Sequence, residues 1–164
     1  MPQAGRSIGV VVAKRASTSA WQSEVWSTRA VLPDVPPIPA WTRLPSLPEE
    51  ELYYAGELGL ALHSGDTSHY RDNLAATPSI WVQIRPNADF TIDLIHATVD
   101  PYEGESLADS MTDRLDAVPM PGDIAAWLAD FVAEHHVERP FFKRQRNRQD
   151  PDSLGRRRRV GGEE

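Results

Sequence analysis

Apolar positions in the first hundred residues fall mostly at strand spacing. From Ser7 to Ala13 the chain runs Ser-Ile-Gly-Val-Val-Val-Ala, closed by Lys14-Arg15 and a Ser/Thr/Ala cluster, which predicts a buried strand. From Trp21 to Leu32, the residues Val25, Trp26, Ala30, Val31 and Leu32 sit among Ser, Thr, Glu and Arg, which predicts a long second strand with an irregularity. Residues 33–48 carry six prolines. Proline donates no backbone hydrogen bond and fixes φ, so this stretch is expected to be extended loop or edge structure, with Trp41 pinning it to the body. Leu52, Tyr53 and Tyr54, followed by Leu58, Leu60 and Leu62 at period two, predict two strands over 51–63 with a turn at Gly56. Asp66 and Thr67 suit the start of one or two helical turns through Tyr70 and Leu74. Ile80, Val82 and Ile84 alternate with Trp81, Gln83 and Arg85. The run from Phe90 to Val99 alternates in the same way, and Pro86-Asn87-Ala88-Asp89 supplies the turn, so the pair reads as a hairpin.

The strongest helical pattern spans Pro121 to about Val137. Ile124, Trp127, Leu128, Phe131, Val132 and His135 form one stripe, Pro121 and Asp123 suit the start, and Pro140 bounds the end. Strands dominate, and no repeated strand–helix alternation could build a parallel sheet. The expected fold is therefore α+β, a mainly antiparallel curved sheet or partly open β-barrel with a C-terminal amphipathic helix across one face or end. A single domain is expected over 1–142. After Phe142 the apolar content collapses, so 143–164 reads as a basic, disordered tail.

Charge divides the chain. The 164 residues carry a net charge of −7. Residues 1–138 hold eight basic and twenty acidic side chains, while 139–164 hold nine and four, so an acidic body of −12 adjoins a tail of +5. An acidic body repels phosphate backbones, which argues against dedicated nucleic-acid binding. Arg139, Lys143, Arg144, Arg146 and Arg148 are better matched to an acidic protein partner, or to an idle solubilising tail, than to nucleic acid. No apolar run approaches the ~18 residues of a membrane span, and the apolar run after Met1 is too short for a signal peptide, so a cytoplasmic location is expected. With no cysteine in the chain, disulfides, thiol catalysis and thiolate-ligated metal are excluded.

Candidate chemistry is sparse. His135-His136-Val137-Glu138 offers one i, i+3 pair, His135 and Glu138, and no third ligand on the same helical face, so no metal centre is expected there. Asp100-Pro101-Tyr102-Glu103-Gly104-Glu105 clusters three carboxylates in what reads as a loop, without the calcium-loop pattern. Tyr70-Arg71-Asp72-Asn73 could hold an anion together with Arg85, or could cap a helix and ion-pair locally. The tryptophans at 21, 26, 41, 81 and 127 read as core and loop anchors. GxxxxGK[ST], GxGxxG, GxSxG and HExxH are all absent, no serine or threonine stands in an activating context, and no cofactor is implied.

Several segments taken together carry a family resemblance. They are Ile8-Gly9-Val10-Val11-Val12 with Trp21 and Trp26, Tyr70 to Leu74, Ser79 to Arg85, Asp100 to Glu105, Val118-Pro119-Met120-Pro121, and His135 to Arg144. Over nearly its whole length the chain resembles a small family of uncharacterised proteobacterial proteins encoded beside molybdenum-dependent formate dehydrogenase genes. Members are sometimes labelled molybdopterin-guanine dinucleotide biosynthesis protein A. The resemblance brings no catalytic residue. Molybdenum-cofactor guanylyltransferases open with L-A-G-G-x-S-x-R-M-G, whereas Gly9-Val10-Val11-Val12-Ala13-Lys14-Arg15-Ala16-Ser17 has no glycine pair to let the backbone approach a phosphate. The resemblance thus implies a noncatalytic accessory protein for maturation or assembly of a molybdenum-dependent formate dehydrogenase, with that enzyme as protein client. Two alternatives remain: nucleotide transfer to molybdopterin, and a small anion- or cofactor-binding module built on Arg71, Asn73 and Arg85.

Overall fold

The computed structural model describes residues 3–16, 24–89 and 91–137. Trp21 and the basic residues from Arg139 onward lie outside them. Among the described residues, seven strands and three α-helices follow in the order β1 (Gln3–Ala16), β2 (Glu24–Leu32), β3 (Thr42–Leu47), β4 (Glu50–His63), α1 (Thr67–Ala75), β5 (Ser79–Pro86), β6 (Ile92–Thr98), α2 (Pro101–Leu107), β7 (Arg114–Pro119) and α3 (Gly122–His135). A single 3₁₀ turn, Ser64–Asp66, links β4 to α1. The strands form two sheets, ordered β2-β1-β4-β3 and β6-β5-β7, and every pairing is antiparallel. The fold is α+β with open, curved sheets, as the strand periodicity predicts.

The apolar run of β1 is central because both its neighbours pair along it, β2 on one side and β4 on the other. Ile8, Val10 and Val12 are fully buried there and meet Leu60 and Leu62 of β4 and Ile80, Val82 and Ile84 of β5 in one core. Ile124, Leu128 and Phe131 of α3 complete this core, with Trp127 and Val132 packed at its margin. Leucine, isoleucine and phenylalanine at i, i+4 and i+7 share one face of a helix, so the same stripe that predicts α3 also buries it.

Two expectations change. Gly56 is not a turn, because β4 runs unbroken for 14 residues and Gly56 lies at a bulge. Val10 pairs with Gly56 and Val11 with Tyr54, which leaves Ala55 as the extra residue. Gly56 has φ +134°, a conformation that a side chain would strain, although a Cβ there would meet nothing closer than 3.6 Å. The proline-rich segment contains an edge strand, β3, paired through β4, which agrees with the expected extended loop or edge structure. Finally, 101–105 is not a loop but most of α2, and an unanticipated strand, β7, follows it.

Candidate functional site

The C-terminal end of β4, the 3₁₀ turn, α1, β6 and the start of α2 converge on a pocket of about 200 Å³. It is lined by Gly59, Ala61, His63, Asp66, Tyr70, His96, Ala97, Thr98, Asp100 and Glu103.

Local chemistry positions each wall. Asp100 is the N-cap of α2: its Oδ1 accepts from the Tyr102 N–H at 2.9 Å and from the Glu103 N–H at 3.4 Å. Pro101 occupies the first helical position, where a missing N–H costs nothing, and Glu103 sits in the first turn, where the dipole favours a carboxylate. The Asp100 N–H in turn donates to Thr98 Oγ1 at 3.0 Å, which fixes the end of β6. Asn73, 3% exposed, locks α1 to the sheet. Its amide donates to the Ser79 and Val99 carbonyls at 2.9 and 2.8 Å, and its Oδ1 accepts from the Ser79 N–H at 3.0 Å. Tyr70 is buried beneath the pocket, and its hydroxyl accepts from the His63 N–H at 3.0 Å. Burial pushes the Tyr70 phenol above its ordinary pKa, so it stays neutral.

Two imidazole–carboxylate groupings face this space. His69 Nδ1 donates to Asp100 Oδ2 at 3.0 Å and lies 3.8 Å from Asp66 Oδ1. Donor atoms of Asp66, His69 and Asp100 all lie within 4.8 Å of one another, and all three side chains are partly buried. His96 Nε2 donates to Glu103 Oε2 at 3.1 Å. Tyr102 packs tilted against the His69 ring, centroids 4.5 Å apart, and donates its hydroxyl to Asp72 at 2.9 Å, a bond that raises the Tyr102 pKa. Three of the five histidines of the chain, His63, His69 and His96, thus gather here from three different elements.

The anion candidates are dispersed instead. Arg71 donates to His136 Nε2 at 2.8 Å. Arginine can only donate, so the His136 proton is on Nδ1 and points to Thr67 Oγ1 at 2.9 Å. Arg71 and His136 together tie the end of α3 to α1. Asn73 spends its amide inside the fold as described. Arg85, six residues along β5 from Ser79 and so about 20 Å away, grips Asp113 through two bonds of 2.7 and 3.0 Å. No common anion site joins the three. His135 packs its ring 4.5 Å from Phe131, as its place in the apolar stripe suggests, and Glu138 lies outside the described residues. The partner candidates Arg139, Lys143, Arg144, Arg146 and Arg148 also lie outside them.

The sequence conceals the Asp66–His69–Asp100 set for a plain reason. Asp66 and His69 stand at i, i+3, but Asp100 is 31 residues beyond His69, and only the packing of α2 beside α1 brings it near. The one local signal is Asp-Pro-x-Glu at 100–103, a helix start with an acidic cap.

A second surface lies at the opposite end of β4. Trp26, Trp41 and Tyr53 form a cluster with ring centroids 5.6–6.2 Å apart. Trp41 has φ +72° and its N–H donates to the Tyr54 carbonyl. For a residue with a Cβ this conformation costs about 1–2 kcal/mol. Four of the seven exposed large hydrophobic side chains among the described residues, Val35, Ile38, Trp41 and Leu47, come from this proline-rich segment and β3.

The antiparallel sheets and this pocket define a class, an α+β body whose described first strand is not a phosphate cradle. Residues Gly9–Ala13 are paired on both sides as the middle of β1, which leaves their backbone amides no freedom to receive a phosphate. Residues 7–146 match the family described as protein of unknown function (DUF3305), and the chain belongs to that family. No curated protein and no solved structure matches it. No helix among the described residues is long and apolar enough to cross a membrane.

Proposed function

We propose that the chain is a noncatalytic, cytoplasmic accessory protein that docks on a molybdenum-dependent formate dehydrogenase during its maturation or assembly. The observation that carries this reading is the concentration of exposed Val35, Ile38, Trp41 and Leu47 in the proline-rich segment that leads from β2 to β3 and in the edge strand β3 itself. An exposed edge carrying apolar side chains is a template for a partner strand, and natural proteins usually blunt such edges. A tryptophan held in a costly backbone conformation and left 40% exposed is poorly explained by stability alone. The resemblance to proteins encoded beside formate dehydrogenase genes supplies the client. The +5 segment from Arg139 onward supplies a second, electrostatic handle for an acidic client surface.

Affinity purification of the tagged full chain from a host that makes the dehydrogenase tests this. The dehydrogenase subunits are expected to co-purify, and Trp41→Ala or Leu47→Asp to abolish it. A deletion strain with full formate dehydrogenase activity and full molybdenum-cofactor loading would refute the proposal.

A further inference from the structure

We infer that Asp66, His69 and Asp100 form a binding site for a divalent first-row transition-metal ion, opening on the pocket beside them. This inference is independent of the docking role, because it concerns the other end of β4.

Spacing is the first argument. A zinc-like ion bound at about 2.0–2.1 Å in tetrahedral geometry holds its ligands about 3.3 Å from one another. The His69 Nδ1 separations of 3.0 Å to Asp100 Oδ2 and 3.8 Å to Asp66 Oδ1 bracket that value. An ion entering there needs His69 to shift by about half an ångström or less relative to each carboxylate, and the two carboxylates, whose oxygens lie within 4.8 Å, to close on the same ion. The imidazole would exchange its Nδ1 proton for the metal, as ligating histidines do.

The second argument is the surroundings. Asp100 uses Oδ1 to cap α2 and keeps Oδ2 for the ion, so one oxygen orients the carboxylate and the other binds. Asp66 makes no side-chain capping bond to α1, although it stands at the N-cap position, which leaves its carboxylate available. The 200 Å³ pocket adjoins both carboxylates and leaves open coordination positions for water or a small ligand. His96 and Glu103 line the same pocket and can bond to such a ligand.

The third argument is ligand type. One imidazole with two carboxylates and no thiolate suits Zn²⁺, Mn²⁺ or Fe²⁺ rather than Cu⁺, and the imidazole disfavours Ca²⁺ or Mg²⁺, which prefer all-oxygen sites.

Titration of the metal-stripped full chain with Zn²⁺ by isothermal calorimetry at pH 7.5 tests the site. One ion per chain is expected, with a dissociation constant on the order of 10 μM or tighter. Asp66→Asn and His69→Gln are each expected to weaken binding by at least about tenfold, the smallest loss seen when a mere partner of a metal ligand is removed. Asp66→Asn guards against misfolding, since its side chain caps nothing, and circular dichroism checks both variants. No detectable binding by the wild-type chain would overturn the inference. So would unchanged affinity in two folded variants, which would mark the zinc as adventitiously held by other surface histidines and acids.

Discussion

Replacing Gly104 by alanine probes the contact that places the start of α2. Gly104 is buried on the inner face of that helix, and a Cβ there would sit 2.6 Å from Cγ of Trp81, with Cδ2 and Cδ1 at 2.8 and 2.9 Å. Carbon atoms prefer about 3.5–4.0 Å, so α2 must lift by about 1 Å or the indole must turn within a partly filled space. Overpacking of this kind costs about 1–3 kcal/mol. Against it stands the better helix propensity of alanine, about 1 kcal/mol at most. A net loss of up to about 2 kcal/mol remains, which for a chain of this size is a fall of up to about 8 °C in Tm. Thermal and urea unfolding followed by circular dichroism reads it directly. Because α2 carries Asp100 and Glu103, the same variant is expected to weaken Zn²⁺ binding. Trp81→Leu in the Gly104→Ala background is expected to recover part of the loss, giving a favourable coupling in a double-mutant cycle. A Tm above wild type would show that α2 does not lie against Trp81, and the derivation of the pocket from that packing would fall.

Other substitutions test separate links. Asn73→Ala strands the Val99 carbonyl and both Ser79 backbone groups, and is expected to cost about 3 kcal/mol in urea unfolding. A cost under about 1 kcal/mol would mean that α1 is not locked there. Thr28 buries its hydroxyl without a hydrogen-bond partner while its N–H donates to Asp116, so Thr28→Val is expected to stabilise the fold by about 1 kcal/mol. A loss of stability would disprove it. The Arg85 guanidinium, bonded to Asp113, holds that carboxyl below the ordinary carboxylate range. A depressed native pKa favours the fold above the unfolded-state pKa, and that gain disappears as pH falls through the native value. Wild type is therefore expected to lose more Tm between pH 5 and pH 3 than Asp113→Asn, and parallel curves would refute the pairing.

Legibility in the sequence follows the range of the interaction. Period-two alternation at Ile80, Val82 and Ile84 and the stripe at Ile124, Leu128 and Phe131 are local patterns set by burial on one face, and both predict the element that forms. Gly56 misleads because a glycine in a strand pattern serves a turn and a bulge equally well, and only pairing with Val10 and Val11 decides between them. β3 accommodates Pro45 because an edge strand needs to donate on one side only. β7 is missed because Arg114, Asp116 and Pro119 dilute its apolar alternation, and its order comes from pairing along β5. The Asp66–His69–Asp100 set is the extreme case, since no local pattern contains all three residues.

β4 relates the two surfaces in a way that makes them separable. Tyr53 stands at the aromatic edge and His63 at the pocket, ten residues further along one strand and so about 33 Å apart if the strand is fully extended. Between them lies the bulge at Gly56, which bends the strand and increases its twist. Sites more than about 7–10 Å apart with no shared partner act additively. Loss of Trp41 should therefore leave the pocket's ligands in place, and loss of His69 should leave the aromatic edge intact. If the accessory role needs the metal, the requirement must come from the client reaching both ends of β4 and not from coupling through the strand. On the proposed docking role, a body with its aromatic cluster at one end of β4 and its charged pocket at the other would meet two separate features of its client.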